Sequence, residues 1–371
     1  MSAGARILAT YRVAAAAGDI EARARALAIE QSVEMPVEAI RDARVLAEVV
    51  ATVESIRALA PAGGEGLFEV TLALAAETTG GEASQLANML FGNCSLQPEV
   101  ELVDARFPPG YAAAFPGPAL GIAGLRERVG ARGRALTCSA LKPQGSSVEH
   151  LARLAGTFAR AGIDVVKDDH GLANPPSSPF AQRVPAVQRA IDEANRETGG
   201  RTVYAPTFSG GSRQLAEQAR IARECGVGLA LVAPMLVGLP AFVEMRRESG
   251  LALLAHPAFA GASRVAPALL LGKLFRLLGA DATIFPNHGG RFSYGRDTCL
   301  AIAGAAREPW ENLRPIVPVP AGGMSVERVP EMIADYGTDT MLLIGGGLLA
   351  AGDALPERSR EFARKVREER G

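Results

Sequence analysis

The sequence predicts an α/β fold: a C-terminal TIM-type (β/α)8 barrel over residues 121–371, behind an N-terminal α+β domain of ferredoxin-like type over residues 1–120. Three observations predict it. From about residue 134, short apolar runs alternate with helical stretches, and eight such units fill about 230 residues, the length of a (β/α)8 barrel. Polar and glycine residues collect where those runs end. The first third has another rhythm, with longer strand-like segments and fewer helices. At 371 residues the chain has room for this division.

Residues 6–13 alternate as a strand does, and an alanine-rich helix follows through about residue 29. Residues 43–56 and 67–74 read as strands and 82–90 as a helix, an order that places helices on one face of a small sheet. Phe107-Pro108-Pro109-Gly110 and Phe115-Pro116-Gly117-Pro118 have linker composition. The barrel strands are predicted at 135–141, 164–168, 202–206, 229–233, 251–255, 282–285, 316–319 and 341–344. Helices at 148–161, 183–197, 214–225 and 267–278 lie between them. A doubly wound sheet would need a dinucleotide glycine turn after its first strand, and Lys142-Pro143-Gln144-Gly145 lacks it.

Hydrophobic residues at 48% support a sizeable core, while a net charge of −1 offers no field for nucleic acid or an anionic membrane. No run of about 18 uncharged apolar residues predicts a membrane span, and no signal-like apolar segment follows the N-terminus. Cys94, Cys138, Cys225 and Cys299 are widely spaced, without a CxxC pair. They read as reduced thiols of a cytoplasmic protein rather than a disulfide framework or a zinc site.

Closing eight strands would gather the following loops into one rim, where active sites of such barrels lie. Strand one ends in Lys142 and strand two in Lys167-Asp168-Asp169-His170. Strand three leads to Thr207 and Ser209, strand five to His256, and strand six to Asn287, His288 and Arg291. A lysine beside carboxylates at a strand end can hold a metal or act as an acid/base pair; its ordinary alternative is a solvated salt bridge. Alternation puts Val165, Lys167 and Asp169 on one side of strand two, and Val166, Asp168 and His170 on the other. Strands seven and eight end in Ala321-Gly322-Gly323 and Gly345-Gly346-Gly347, at the loops where these barrels usually cradle phosphate.

From about Ile7 to Ala350 the chain resembles the RuBisCO large subunit and its RuBisCO-like relatives, the form IV branch with a Lys-Asp-Asp-His run. Lys142-Pro143 is similar to the family's catalytic lysine motif. Gly162-Ile163-Asp164 through Asp169 looks like its metal-binding strand, and Pro318 to Met324 with Gly345-Gly346-Gly347 like its phosphate loops. The resemblance implies Mg²⁺ on Lys167, carbamylated, together with Asp169; the His170 imidazole, next in sequence, can also serve as a metal ligand. It implies phosphate binding by Ala321, Gly322, Gly323, Gly345 and Gly346, with Arg291 also assigned to substrate. It also implies a homodimer with the active site at the subunit interface, where Glu30 and Asn93, the latter within Phe91-Gly92-Asn93, reach the substrate.

The departures argue against CO₂ fixation. His170 stands where the family has a third metal carboxylate, and Pro257 where an arginine grips a second phosphate. Gln144 replaces the second lysine of the strand-one motif, and the loop 286–291 lacks the lysine that steadies captured CO₂. Enolisation next to a carbonyl of a sugar monophosphate survives, with Lys142, Lys167, His170, His256 and His288 as catalytic candidates. The resemblance points first to isomerisation of 5-methylthioribulose 1-phosphate. The alternatives are a decarboxylase, transcarboxylase or hydrolase of a 3-oxo-sugar-acid phosphate, a diketo-methylthiopentyl-phosphate enolase, or a non-catalytic sugar-phosphate binder.

Overall fold

The computed structural model describes residues 4–60, 66–292 and 294–369. One compact unit comprises Met1–Phe115 with Ala260–Leu270, and the other Pro116–Phe259 with Leu271–Gly371.

The first unit has the order β1 (Arg6–Ala15), α1 (Ile20–Glu30), β2 (Thr52–Ala60), β3 (Gly66–Ala75), α2 (Ala83–Phe91) and β4 (Val100–Arg106). Its antiparallel sheet runs β2-β3-β1-β4, the ferredoxin-like βαββαβ arrangement. Period-two alternation buries Ile7, Ala9, Tyr11, Val13 and Ala15 on one face of β1. The Tyr11 hydroxyl donates to the Leu90 carbonyl at the end of α2 (2.7 Å), and Gln31 Nε2, just past α1, donates to Met89 (2.9 Å). Glu82 caps α2 by accepting from the Ser84 and Gln85 amides.

Residues 43–56 differ from the strand expected there. Val45–Val49 form a π-helical turn, and only Thr52–Ala60 is extended. Asp42 Oδ1 accepts from the Arg44 amide (2.8 Å) and Arg44 pairs with Glu48 one turn on, so local side-chain bonds favour the helical turn over extension. Residues 264–266 join this unit by bonding to Leu102 on both sides, giving β4 an additional parallel bridge.

The second unit opens with α3 (Gly121–Val129), a helix not expected before the first barrel strand. Eight parallel strand positions follow. They are β5 (Leu136–Leu141), β6 (Val165–Asp168), β7 with β8 (Val203–Ala205 and Thr207–Phe208), β9 (Leu229–Val232), β10 (Ala252–Ala255), β11 (Ala282–Pro286), β12 (Val317–Ala321) and β13 (Met341–Leu343). The third position is split at Pro206, which has no amide hydrogen to donate; β7 pairs with β6, and β8 with β9. β13 pairs with β5, and Thr340 Oγ1 donates to the Pro318 carbonyl (3.0 Å) between the last two positions.

Alternate residues, such as Leu136 and Cys138, Leu229 and Leu231, and Val317 and Val319, fill the barrel interior. Ile122, Leu125 and Val129 of α3 belong to the same cluster, so this helix packs against the interior residues near the strand starts. Asp281 fastens it by accepting from the Leu120, Gly121 and Leu253 amides at 2.5, 2.9 and 2.9 Å. Around the strands lie α4 (Val148–Arg160), α5 (Phe180–Thr198), α6 (Ser212–Glu224), α7 (Pro234–Val237), α8 (Leu239–Glu248), α9 (Phe275–Leu278), α10 (Arg296–Arg307), α11 (Val329–Tyr336), α12 (Gly346–Leu349) and α13 (Leu355–Glu368). The helix expected over 267–278 begins as a π-helix, Ala268–Leu274, before α9.

Candidate active site

β5 and β6 pair in register, Ala140 with Lys167 and Leu141 with Asp168. Two residues beyond Ala140, Lys142 therefore stands across from Asp169, and its ammonium forms an ion pair with Asp169 Oδ2. The other oxygen of that carboxylate lies 2.9 Å from His170 Nδ1. The His170 ring stacks on His256, with centroids 4.3 Å apart and planes inclined by 10°. Lys167 is buried, and its Nζ donates to the Asp168 carbonyl (2.9 Å) rather than to a carboxylate. Lys142, Lys167, Asp169, His170 and His256 are thus brought together.

His170 corrects the alternation expected from the sequence. β6 stops at Asp168, and the chain turns there: the Leu172 amide bonds to the Asp169 carbonyl (2.9 Å) and the Gly171 amide to Asp169 Oδ1 (3.2 Å). Beyond the last paired residue, period two no longer decides direction, and the imidazole swings onto Asp169.

Crowded cations and burial set the protonation states. Burial, reinforced by the Lys142 charge, lowers Lys167 to about 8. Burial and then Arg291 hold Lys142 below the ordinary amine range, although Asp169 lies beside it. Burial, with Lys167, His170 and Lys142 adding to it, pushes His256 down to about 2. That imidazole is neutral at physiological pH; Nδ1 accepts from the Ala258 amide (3.1 Å), which leaves the ring proton on Nε2. His170 is lowered by burial and by the two lysines.

Asp168 points away from this cluster into a buried network with no counterpart in the sequence-based site. Its Oδ1 accepts from the Tyr204 hydroxyl (2.6 Å), and its Oδ2 from Arg183 Nε (3.1 Å) and the Thr207 amide (3.0 Å). Arg183, fully buried, also donates to the Ser178 and Ala173 carbonyls at 2.5 and 2.9 Å. Thr207 Oγ1 donates to the Asp169 carbonyl (2.9 Å). These bonds fix both the strand end and the loop behind it. The signal available in sequence was a second aspartate on the outward register of a strand, with an arginine in the next helix.

The loops after β11 and β12 meet backbone to backbone. A Cβ on Gly290 would overlap the Gly322 carbonyl oxygen, and one on Gly323 would lie 2.8 Å from Gly290 Cα. Gly322 and Gly323 also have φ values of +82° and +84°. These glycines answer to packing and backbone conformation. Gly345 and Gly346 do not: a Cβ on Gly346 meets open space, and one on Gly345 would make ordinary contacts with Ala140 and Lys142 Cε (3.7 and 3.9 Å). Gly345 is thereby placed beside the lysine cluster. Ala321 ends β12, and its carbonyl accepts from the Asn287 amide (2.8 Å).

His288 is not brought to the cluster by a bond. Its Nε2 lies 2.8 Å from Asp335 Oδ2, whose other oxygen takes Arg296. His288, Glu331 and Asp335 place potential metal donors within 4.8 Å of one another, yet Arg328 holds Glu331 and Arg296 holds Asp335. The triad is satisfied without an ion. In the first unit, Asn93 Nδ2 donates to Glu30 Oε1 (2.8 Å) and Glu34 Oε1 (3.1 Å), so the two expected residues meet, and Glu34 joins them.

The family model of the ribulose bisphosphate carboxylase large chain, catalytic domain, matches residues 121–354. The chain is 55% identical over 363 residues to the 5-methylthioribulose-1-phosphate isomerase of Rhodospirillum rubrum, covering 97% of this chain and 96% of that protein. It is 54% identical over 367 residues to the ribulose bisphosphate carboxylase-like protein 1 of Rhodopseudomonas palustris, covering 99% of both. A crystal structure of a RuBisCO-like protein from Rhodopseudomonas palustris superposes with a TM-score of 0.91 at 49% identity over 99% of each chain. With the barrel, the N-terminal α+β unit and these full-length matches in agreement, the chain belongs to the RuBisCO large-chain family as one of its RuBisCO-like, form IV members.

Proposed function

We propose that this chain is an isomerase of 5-methylthioribulose 1-phosphate that moves a proton between carbons near the substrate carbonyl. One observation carries the reading: the buried Asp169 carboxylate joins the half-buried Lys142 amine and the exposed His170, itself stacked on His256, in a single cluster beside Gly345. The full-length likeness to the Rhodospirillum rubrum isomerase supports the same substrate.

Lys142, held below the ordinary amine range, takes a proton from the carbon beside the carbonyl. The Lys142 ammonium so formed, or His170 beside the same carboxylate, returns a proton to another carbon, while the neutral His256 packs against the His170 ring. The open space at Gly346, the neighbouring Gly345 and the turned backbone at Gly322 and Gly323 receive the phosphate, with Arg291 as the nearby cation. The strand-six loop offers no lysine to steady a new carboxylate, in keeping with an enzyme that does not fix CO₂.

Members of this family generally use Mg²⁺. Asp169 alone gives the site one carboxylate against two amines, too few oxygen ligands for that ion. A carbamate on Lys167 would add an oxygen donor and reverse a charge, and an amine lowered to about 8 keeps a neutral fraction for this reaction near neutrality. On that footing Asp169, carbamylated Lys167 and His170 would hold Mg²⁺. When bound, it supplies Lewis acidity to the substrate carbonyl. In a homodimer, Glu30 and Asn93 of one subunit complete the barrel mouth of the other.

The test is exchange of carbon-bound hydrogen in D₂O. Incubation with 5-methylthioribulose 1-phosphate should place deuterium on carbon, and the Lys142→Ala enzyme should not. Phosphate-ester binding without any exchange would reduce the protein to a sugar-phosphate binder.

A further inference from the structure

We propose that Leu236, Phe259 and Phe292 form an apolar subsite that receives the thioether end of the substrate, an assignment that rests on the isomerase reading above. Large hydrophobic side chains exposed among the described residues of the barrel unit are these three, at 57%, 65% and 55%. They do not scatter over its surface. Each follows one of three neighbouring strands, β9, β10 and β11, at the strands' C-terminal ends. Exposed large apolar side chains on three successive loops of a barrel mouth mark a binding surface rather than core.

The rim is divided by chemistry. Lys167 lies in β6, Lys142 and Asp169 follow β5 and β6, and the glycine loops follow β12 and β13. The loop after β10, by contrast, reads Pro257-Ala258-Phe259-Ala260-Gly261-Ala262, without a charge or a hydrogen-bonding side chain. It begins at His256, which stacks on His170, so Phe259 lies three residues from the reacting cluster. Phe259 is held at φ +68°, a conformation costly for an aromatic residue, while its ring stays exposed.

Phe292 links the apolar arc to the phosphate loop. Its ring carbons Cδ2 and Cε2 would stand 3.2 Å from a Cβ on Gly322, and Arg291 lies 5.5 Å from its ring centroid. A substrate anchored by phosphate at one end and by its carbonyl at the cluster has its uncharged end left for these loops. A thioether suits them, because sulfur packs well on aromatic rings. A hydroxyl there would lose water without gaining a partner.

The test compares 5-methylthioribulose 1-phosphate with ribulose 1-phosphate on the Mg²⁺-supplemented full-length enzyme, by kcat/KM and by calorimetric Kd. The wild type should favour the thioether by roughly 10-fold or more, the scale of one apolar group in a pocket. Phe259→Ala and Phe292→Ala should each erase most of that preference, chiefly through KM, while Phe259→Leu retains it. Equal losses on both substrates, or a Kd ratio that Phe259→Ala leaves unmoved, would overturn the subsite. So would a change in sedimentation of the Phe259→Ala and Phe292→Ala enzymes, which would make the arc a contact between chains. If the wild type binds the thioether preferentially but turns over neither compound, the isomerase reading falls and the subsite stands.

Discussion

Asp169 is the residue on which the site turns, because one buried carboxylate serves both Lys142 and His170. Lys142→Ala should lower kcat by roughly 10²–10⁴-fold, the usual worth of a positioned acid/base group, and Lys167→Ala should abolish turnover. An active Lys167→Ala enzyme would defeat its assignment to the metal. Arg291 is one cause of the lowered Lys142 pKa. Removing that positive charge makes the protonated amine easier to keep, so Arg291→Ala should move the rising limb of kcat/KM to higher pH. Behind the cluster, Arg183→Met would strand the buried Asp168 charge, at a cost of about 3–5 kcal/mol in urea unfolding. The Lys142, Lys167 and Asp169 cluster was legible in the sequence because paired strands fix their directions. The bond of His288 was not, since its partner, Asp335, lies 47 residues away.

At the level of elements, the loops after β11 and β12 act as one piece. Gly290→Ala would force a Cβ into the Gly322 carbonyl, displacing the backbone of the phosphate loop. Its KM should rise several-fold with little change in kcat, whereas Gly346→Ala, which meets open space in the free chain, should weaken substrate binding without lowering the thermal midpoint. An unchanged KM in Gly346→Ala would argue that no phosphate sits there. The barrel strands could be read from short apolar runs, but element ends could not. Where β6 stops was decided by turn hydrogen bonds at Asp169, and where β2 starts by the Asp42 and Glu48 contacts that keep 45–49 helical.

For the whole molecule, the two-part architecture was legible because period two and the β/α alternation occupy different stretches of the chain. The membership of 260–270 in the N-terminal unit was hidden, since it depends on pairing with Leu102, far away in sequence. If Glu30 and Asn93 complete a partner's barrel, then mixing Asn93→Ala with Lys167→Ala should regain activity. Half of the randomly mixed dimers are heterodimers, each with one intact site, so activity should approach about a quarter of wild type. Two inactive variants that stay inactive when reassorted would place each site within one chain. The central claim is proton transfer that yields an isomer. The wild-type enzyme with Mg²⁺ and 5-methylthioribulose 1-phosphate, followed by ¹³C NMR, should show a product of unchanged mass with its carbonyl on a different carbon. Unchanged substrate, or release of a one-carbon fragment, would contradict the account.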